Sequence, residues 1–181
     1  IMIKKLTIPV DHGNRNMKTT HFLFTTGLSS TDRKPAGRED FLQTDGKYYV
    51  LSDKRIPYQR DKTQDERFSI LTRFAIAKEL ERTGQVAEED VVQVFLPIGV
   101  PPKHYAELAD RYREYFLGDG KVQELVYNDR TYHTCIRDVA VYTQAYAAMM
   151  TEGEKILQIP NAVGIDIGGF PADIMPVGSG S

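Results

Sequence analysis

An α/β fold, a mixed sheet with flanking helices, is the class this sequence predicts, and three observations predict it. Val91 to Leu96 is an almost continuous apolar run between acidic residues and Pro97, the pattern of a strand covered on both faces. Thr63 to Arg82 places Phe68, Leu71, Phe74, Ile76, Ala77 and Leu80 at helical spacing, with Thr63 as candidate N-cap and Glu66 three residues on. Two short apolar runs, Leu6 to Val10 and Ala162 to Ile165, each lead into a glycine-bearing turn that carries a carboxylate.

In chain order, Met2 to Val10 reads as a strand whose partner is Lys18 to Thr26, joined by the turn Asp11 to Met17. Gly27 to Arg38 shifts to Ser, Asp, Lys, Pro and Gly and reads as an exposed loop. Asp40 to Gln43 and Lys47 to Leu51 flank the Asp45-Gly46 turn signal as a second strand pair. After the long helix and the apolar strand, Pro101-Pro102 opens a helix through about Phe116, which the glycines at 118 and 120 stop. Lys121 to Tyr127 and Thr131 to Val141 read as a hairpin around Asn128-Asp129-Arg130. An Ala-rich helix, Thr143 to Thr151, precedes the last strand pair, Ala162 to Ile167 and Ala172 to Val177.

With 181 residues and 41% hydrophobic content, the chain can bury an ordinary core in one domain. A formal net charge of -2 with interspersed signs points neither to nucleic acid nor to an anionic membrane. The single cysteine, Cys135, has no internal disulfide partner, favours a reducing cytoplasm and reads as a small buried hydrophobe. No run approaches the roughly 20 apolar residues of a membrane helix, and the N-terminal IMIKKLTIPV turns polar too soon for a signal peptide, so a soluble chain is expected. Gly178 to Ser181, GSGS, has linker composition and falls outside the expected domain of residues 2–177.

The two turns have the parts of a phosphate site: backbone amides, small residues that allow close approach, and charge. In DHGNRNMK, Gly13 permits the approach, Asn14 and Asn16 offer donors, Lys18 supplies an ammonium, and Asp11 suits a magnesium ion that keeps several waters. In DIGGFPAD, Gly168, Gly169 and Phe170 offer amides and Asp166 a second hard-cation or water-orienting carboxylate. Either turn alone also fits an ordinary hairpin. His12 has no Cys or His at ligand spacing and reads as a solvated turn histidine.

The combination is more specific. Strand, DxGxxxxK, strand, and far downstream strand, DxGG, strand resembles the two phosphate loops of the actin, Hsp70 and sugar-kinase superfamily, nearest to the plasmid and bacterial actin-like proteins of the ParM type. DVVQVFLPIGVPPKHY, YNDRTYHTCIRDVAVYTQAYAAM and KTQDERFSILTRFAIAKEL extend the likeness over nearly all of Met2 to Val177. The resemblance implies a ribonuclease H-like first domain of an actin-like ATPase, with residues 27–60 as an insertion-like subdomain. It implies ATP and Mg as cofactors, metal held by Asp11 and Asp166, and Gln144 of TQAY as the residue that positions the attacking water. A glutamine orients water without having to lose a proton, which suits phosphoryl transfer.

Filament self-association, plasmid or DNA segregation and a DNA-binding adaptor are implied in the same way, as is a second domain that supplies the base and ribose contacts. Half a cleft is expected to hydrolyse little by itself. At the second turn the family places hydroxyl residues after Gly-Gly and again before the final Asp, where this chain reads Phe170, Pro171 and Ala172; two possible donors are lost, phosphate binding is left mainly to amides, and Pro171 deletes one of those. Two other readings stay open: a small-molecule kinase of the same superfamily, which would need a carboxylate base, and a non-catalytic interaction domain with a degenerate nucleotide site.

Overall fold

The computed structural model describes residues 1–37, 39–144, 161–167 and 172–178. Its backbone is a seven-stranded mixed sheet in the order β1-β8-β10-β9-β6-β7-β5, with a three-stranded and a two-stranded sheet beside it. The strands are β1 (Ile3–Thr7), β2 (Asp11–His12), β3 (Asn16–Lys18), β4 (Leu23–Thr25), β5 (Leu28–Thr31), β6 (Phe41–Thr44), β7 (Lys47–Leu51), β8 (Val91–Val100), β9 (Gln123–Tyr127), β10 (Arg130–Thr143), β11 (Asn161–Ile167) and β12 (Ala172–Gly178). Helices α1 (Arg67–Thr83) and α2 (Tyr105–Leu117) share the main core with the sheet.

β8 is the axis of the site, because β1 and β10 both pair with it in parallel. The apolar run continues through Pro97 instead of stopping there. Residues at alternate positions of a strand present their backbone groups to opposite neighbours. The carbonyls of Phe95 and Pro97 accept from Ile8 and Val10 at 3.0 and 2.9 Å, so the N–H that Pro97 lacks would face the segment where β1 has already ended. Burial is also one-sided. Val92, Val94, Leu96, Ile98 and Val100 are buried and the alternate residues only partly so, where the sequence suggested cover on both faces.

The expected two-stranded unit at the N-terminus is instead split. β1 hydrogen-bonds to β8, while β2, β3 and β4 form an antiparallel meander of their own. Residues 27–38 are not all loop: Leu28–Thr31 forms β5 against β7. Strands β6 and β9 pair, which joins this segment to the main sheet. Two turns follow local chemistry as expected, with positive φ at Asp45 and Gly46 and at Asn128 and Asp129, the backbone of two-residue hairpins.

Helix α1 begins later than the capping signal suggested. Thr63 lies inside a separate 3-10 turn, Lys62–Gln64, which Asp61 caps by accepting from Thr63 N at 3.0 Å, and the N-cap position of α1 is Glu66, whose side chain makes no capping bond. Asp65 then takes an extended conformation and accepts from the Arg67 amide at 3.0 Å, and α1 starts there. Two α2 tyrosines fasten this junction: Tyr112 Oη accepts from Lys62 N at 3.1 Å, and Tyr115 Oη donates to Asp65 O at 2.8 Å. Phe68, Leu71, Phe74, Ala75 and Leu80 then bury one face of α1, and Gly84 ends it at φ 61.

Gly27 shows how closely segments meet near the first turn. A Cβ there would collide with the carbonyl oxygens of Ser52 and Lys54, and the Gly27 carbonyl accepts from Ser52 N at 3.0 Å. Both obstacles are backbone, so neither can step aside. Gly27→Ala is expected to cost about 2 kcal/mol of stability, as overpacking does, read as a lower midpoint in urea with unchanged slope.

Candidate phosphate and metal site

The first turn is built by strand alternation. β2 pairs with β3 so that Asp11 lies opposite Lys18 and His12 opposite Met17. Successive side chains point to opposite faces, which sends Asp11 outward, its side chain 41% exposed, and His12 into the core. Lys18 Nζ lies 3.7 Å from Asp11 Oδ2. Between them, a Cβ on Gly13 would run into the Asn16 carbonyl oxygen, so only glycine fits this turn.

Thr26 holds the turn from behind, a role with no mark in the sequence. Its hydroxyl donates to the Gly13 carbonyl at 2.7 Å, its amide donates to the Arg15 carbonyl at 3.0 Å, and its own carbonyl accepts from Ile56 N at 2.8 Å. Asn14 and Asn16 belong to the same turn and its outgoing strand.

Gln144 reaches this turn from the far end of the chain. Its amide nitrogen donates to Asp11 Oδ1 at 3.0 Å across 133 residues, while its backbone N–H donates to Val100 O at 2.8 Å. The strand that delivers it runs to Thr143, so Thr143 is the last residue of β10 and not the start of a helix. Residues 145–151 of the expected helix lie outside the described residues, as do Gly168, Gly169 and Phe170. Asp166 is in β11, paired across to Asp173, and its side chain is also outside what is described.

His12 is not the solvated turn residue that its neighbours suggested. It is buried, stacked on Phe116 with ring centroids 4.4 Å apart, and its Nε2 lies 2.7 Å from Thr72 Oγ1. The Thr72 hydroxyl already donates to Phe68 O at 2.7 Å. Its single hydrogen is committed, so Nε2 must be the protonated nitrogen that donates to it, and Nδ1 is bare, buried and without a hydrogen-bond partner. Burial, helped by the Lys62 charge, lowers the imidazole pKa to about 3.

Lys62 was also invisible in the sequence, where it sits among charged loop residues. It is 5% exposed, with its ammonium 5.7 Å from the centroid of the Phe68 ring. Burial lowers its pKa, and the negative charge of Asp11 opposes that shift. A buried cation near the Asp11 to Lys18 turn is chemistry that an incoming anion would complete.

Among the described residues no group of three or more His, Cys, Asp or Glu is placed to hold a metal. A half-exposed Asp11 next to open solvent suits Mg²⁺, which takes one or two carboxylates and keeps waters and phosphate oxygens for the rest, and would not suit a metal that needs a full protein cage. Cys135 is buried, as expected.

β1 and β10 flank β8 in parallel, Asp11 follows the chain that leaves β1 and Gln144 follows β10, and α1 and α2 share the core with this sheet, the arrangement of an actin-like first domain. The chain belongs to the family of actin-like proteins, N-terminal domain, whose profile matches residues 10–146. Among solved structures it is similar to Ta0583, an archaeal actin homolog, at 16% identity over 95% of this chain and 57% of that one, with a TM-score of 0.73. The AlfA filament bound to AMPPNP is similar at 16% identity, 98% and 66% coverage and a TM-score of 0.69. A 15-stranded ParM filament from Clostridium botulinum is similar at 15% identity, 96% and 58% coverage and a TM-score of 0.70. The present chain thus spans between half and two thirds of the length of these three. No curated protein matches it in sequence.

Proposed function

We propose that this chain is the first domain of a cytoplasmic, filament-forming ATPase of the ParM type that acts in plasmid or DNA segregation through a DNA-binding adaptor. The observation that carries the reading is the Gln144–Asp11 hydrogen bond, which joins a water-orienting amide to a carboxylate suited to Mg²⁺. In this reading the turn amides from Gly13 to Asn16 and the Lys18 ammonium receive the terminal phosphates. Lys62 balances their charge from the buried side, and Gln144 aims the attacking water. Asp166 and the amides at 168–170 form the second phosphate loop. Asp11 and Asp166 would hold Mg²⁺, which would supply positive charge against the phosphates. A further domain supplies the base and ribose contacts. That AlfA is seen as a filament with AMPPNP, and Ta0583 in complex with ADP, supports nucleotide-linked assembly.

The test is sedimentation and electron microscopy of the complete protein with ATP and Mg²⁺, beside Asp11→Ala. The proposed function expects polymer with nucleotide and at least a tenfold weaker Mg-dependent ATP affinity in the variant, about 1.4 kcal/mol or more. Absence of polymer at every concentration, or equal ATP affinity in both proteins, rejects it.

A further inference from the structure

We propose that Gly99 is a positioning residue for Gln144: the missing side chain on β8 is what lets the Gln144 amide cross that strand to Asp11. Gly99 is paired inside a parallel ladder, with Tyr142 opposite it on β10. Its φ lies outside the positive region that favours glycine, so the backbone there would accept any ordinary residue. A glycine inside a strand weakens it and calls for a reason in close approach. That reason is visible: a Cβ at Gly99 would stand 2.9 Å from Gln144 Cγ, 3.7 Å from its Nε2 and 3.8 Å from its Cδ. The glutamine side chain lies flat over the glycine.

The geometry leaves Gln144 little choice. Its backbone is tied to β8 through Val100 O, and its amide must reach Asp11, which follows Val10, the residue bridged to Ile98 at the opposite edge of β8. The direct route passes over position 99. Any Cβ there pushes on Cγ, near the root of the side chain, so the displacement is magnified at the amide, and the 3.0 Å bond to Asp11 is lost. Gly99 touches neither water nor nucleotide in this account. It acts only through Gln144, and the inference rests on the ATPase reading for its consequence in turnover.

Two measurements separate the inference from that reading. The first is the side-chain amide signal of Gln144 in ¹H–¹⁵N spectra, identified by its disappearance in Gln144→Ala. In the unmodified background this signal is expected to move on Asp11→Asn, and in the Gly99→Ala background to be indifferent to that substitution. A signal that still moves on Asp11→Asn in the Gly99→Ala background overturns the proposal, whether or not the protein hydrolyses ATP. The second is steady-state ATP hydrolysis by the complete protein. Gly99→Ala is expected to lower kcat tenfold or more with less than twofold change in KM, and to lower it no further when added to Gln144→Ala. A rise in KM at constant kcat, or additive losses in the double variant, overturns it. Should Gly99→Ala alone fail to fold, the double variant Gly99→Ala/Gln144→Ala, which lacks the obstructing Cγ, is expected to fold, and an equally unfolded double variant also overturns the proposal.

Discussion

Substituting His12 by phenylalanine flattens the upper part of the acid-unfolding profile. The folded imidazole titrates at about 3 and an unfolded one at the ordinary 6.5. Between those values the unfolded chain binds the extra proton, so the His12 contribution is complete above pH 6.5 and is lost as pH falls toward 3. A shift of that size corresponds to roughly 5 kcal/mol over the whole window, and to about 2 kcal/mol between pH 7 and pH 5. The groups facing the ring are Lys62, Thr72 and Phe116, of which only Lys62 is charged at these pH values. The carboxylates of Asp40, Asp61, Asp65 and Glu79 have pKa values below their ordinary ones, so what they contribute is lost lower in the scale than the His12 term. Phenylalanine keeps the stack on Phe116, and Thr72 keeps its bond to Phe68 O. Denaturant titrations at pH 7, 6 and 5 are expected to show falling stability in the unmodified protein and near constancy in the variant. Parallel curves would count against a neutral buried imidazole.

Lys62→Met separates function from stability. The substitution keeps the length of the stem over Phe68 and removes a buried ammonium whose desolvation already lowers its pKa. The thermal midpoint is expected to stay level or rise. Turnover of ATP by the complete protein is expected to fall by about 10²–10³-fold, the scale seen when one preorganised electrostatic contact to a transition state is deleted. Such opposed effects are the mark of a side chain held for chemistry at the expense of the fold. A variant that is both less stable and fully active would make Lys62 a packing residue. The fastening of its backbone by Tyr112, with the Arg111–Asp61 ion pair at 2.5 Å beside it, fixes where that charge sits.

Much of this architecture is legible from local chemistry. Asp45-Gly46 and Asn128-Asp129 adopt the positive φ their composition favours, and the Phe68 to Leu80 stripe is buried as its spacing requires. What escapes the sequence depends on partners far along the chain. Leu28–Thr31 looks like loop because three of its four residues are exposed polar ones, and it becomes a strand only through β7. Thr63 does not cap α1 because α2 tyrosines hold Lys62 and Asp65 in a 3-10 turn and its exit, and the helix starts only beyond them. His12 and Lys62, both polar and both buried, obey tertiary packing against Phe116 and Phe68 that no periodicity records. At the site, Asp11, Lys18 and Gln144 meet, whereas the hydroxyl of Thr26 behind Gly13 carries no motif at all.

The flanking of β8 by β1 and β10 has a mechanical meaning. Val10, one residue before Asp11, is hydrogen-bonded to Pro97, and Gln144 is hydrogen-bonded to Val100, so Asp11 and Gln144 are both bolted to the same short length of one strand. Two ladder spacings, about 10 Å in all, separate the backbone segments on the two edges of β8, and the side chains of Asp11 and Gln144 bridge that gap to a 3.0 Å hydrogen bond. If the domain binds nucleotide as proposed above, closure around it would leave this span unchanged.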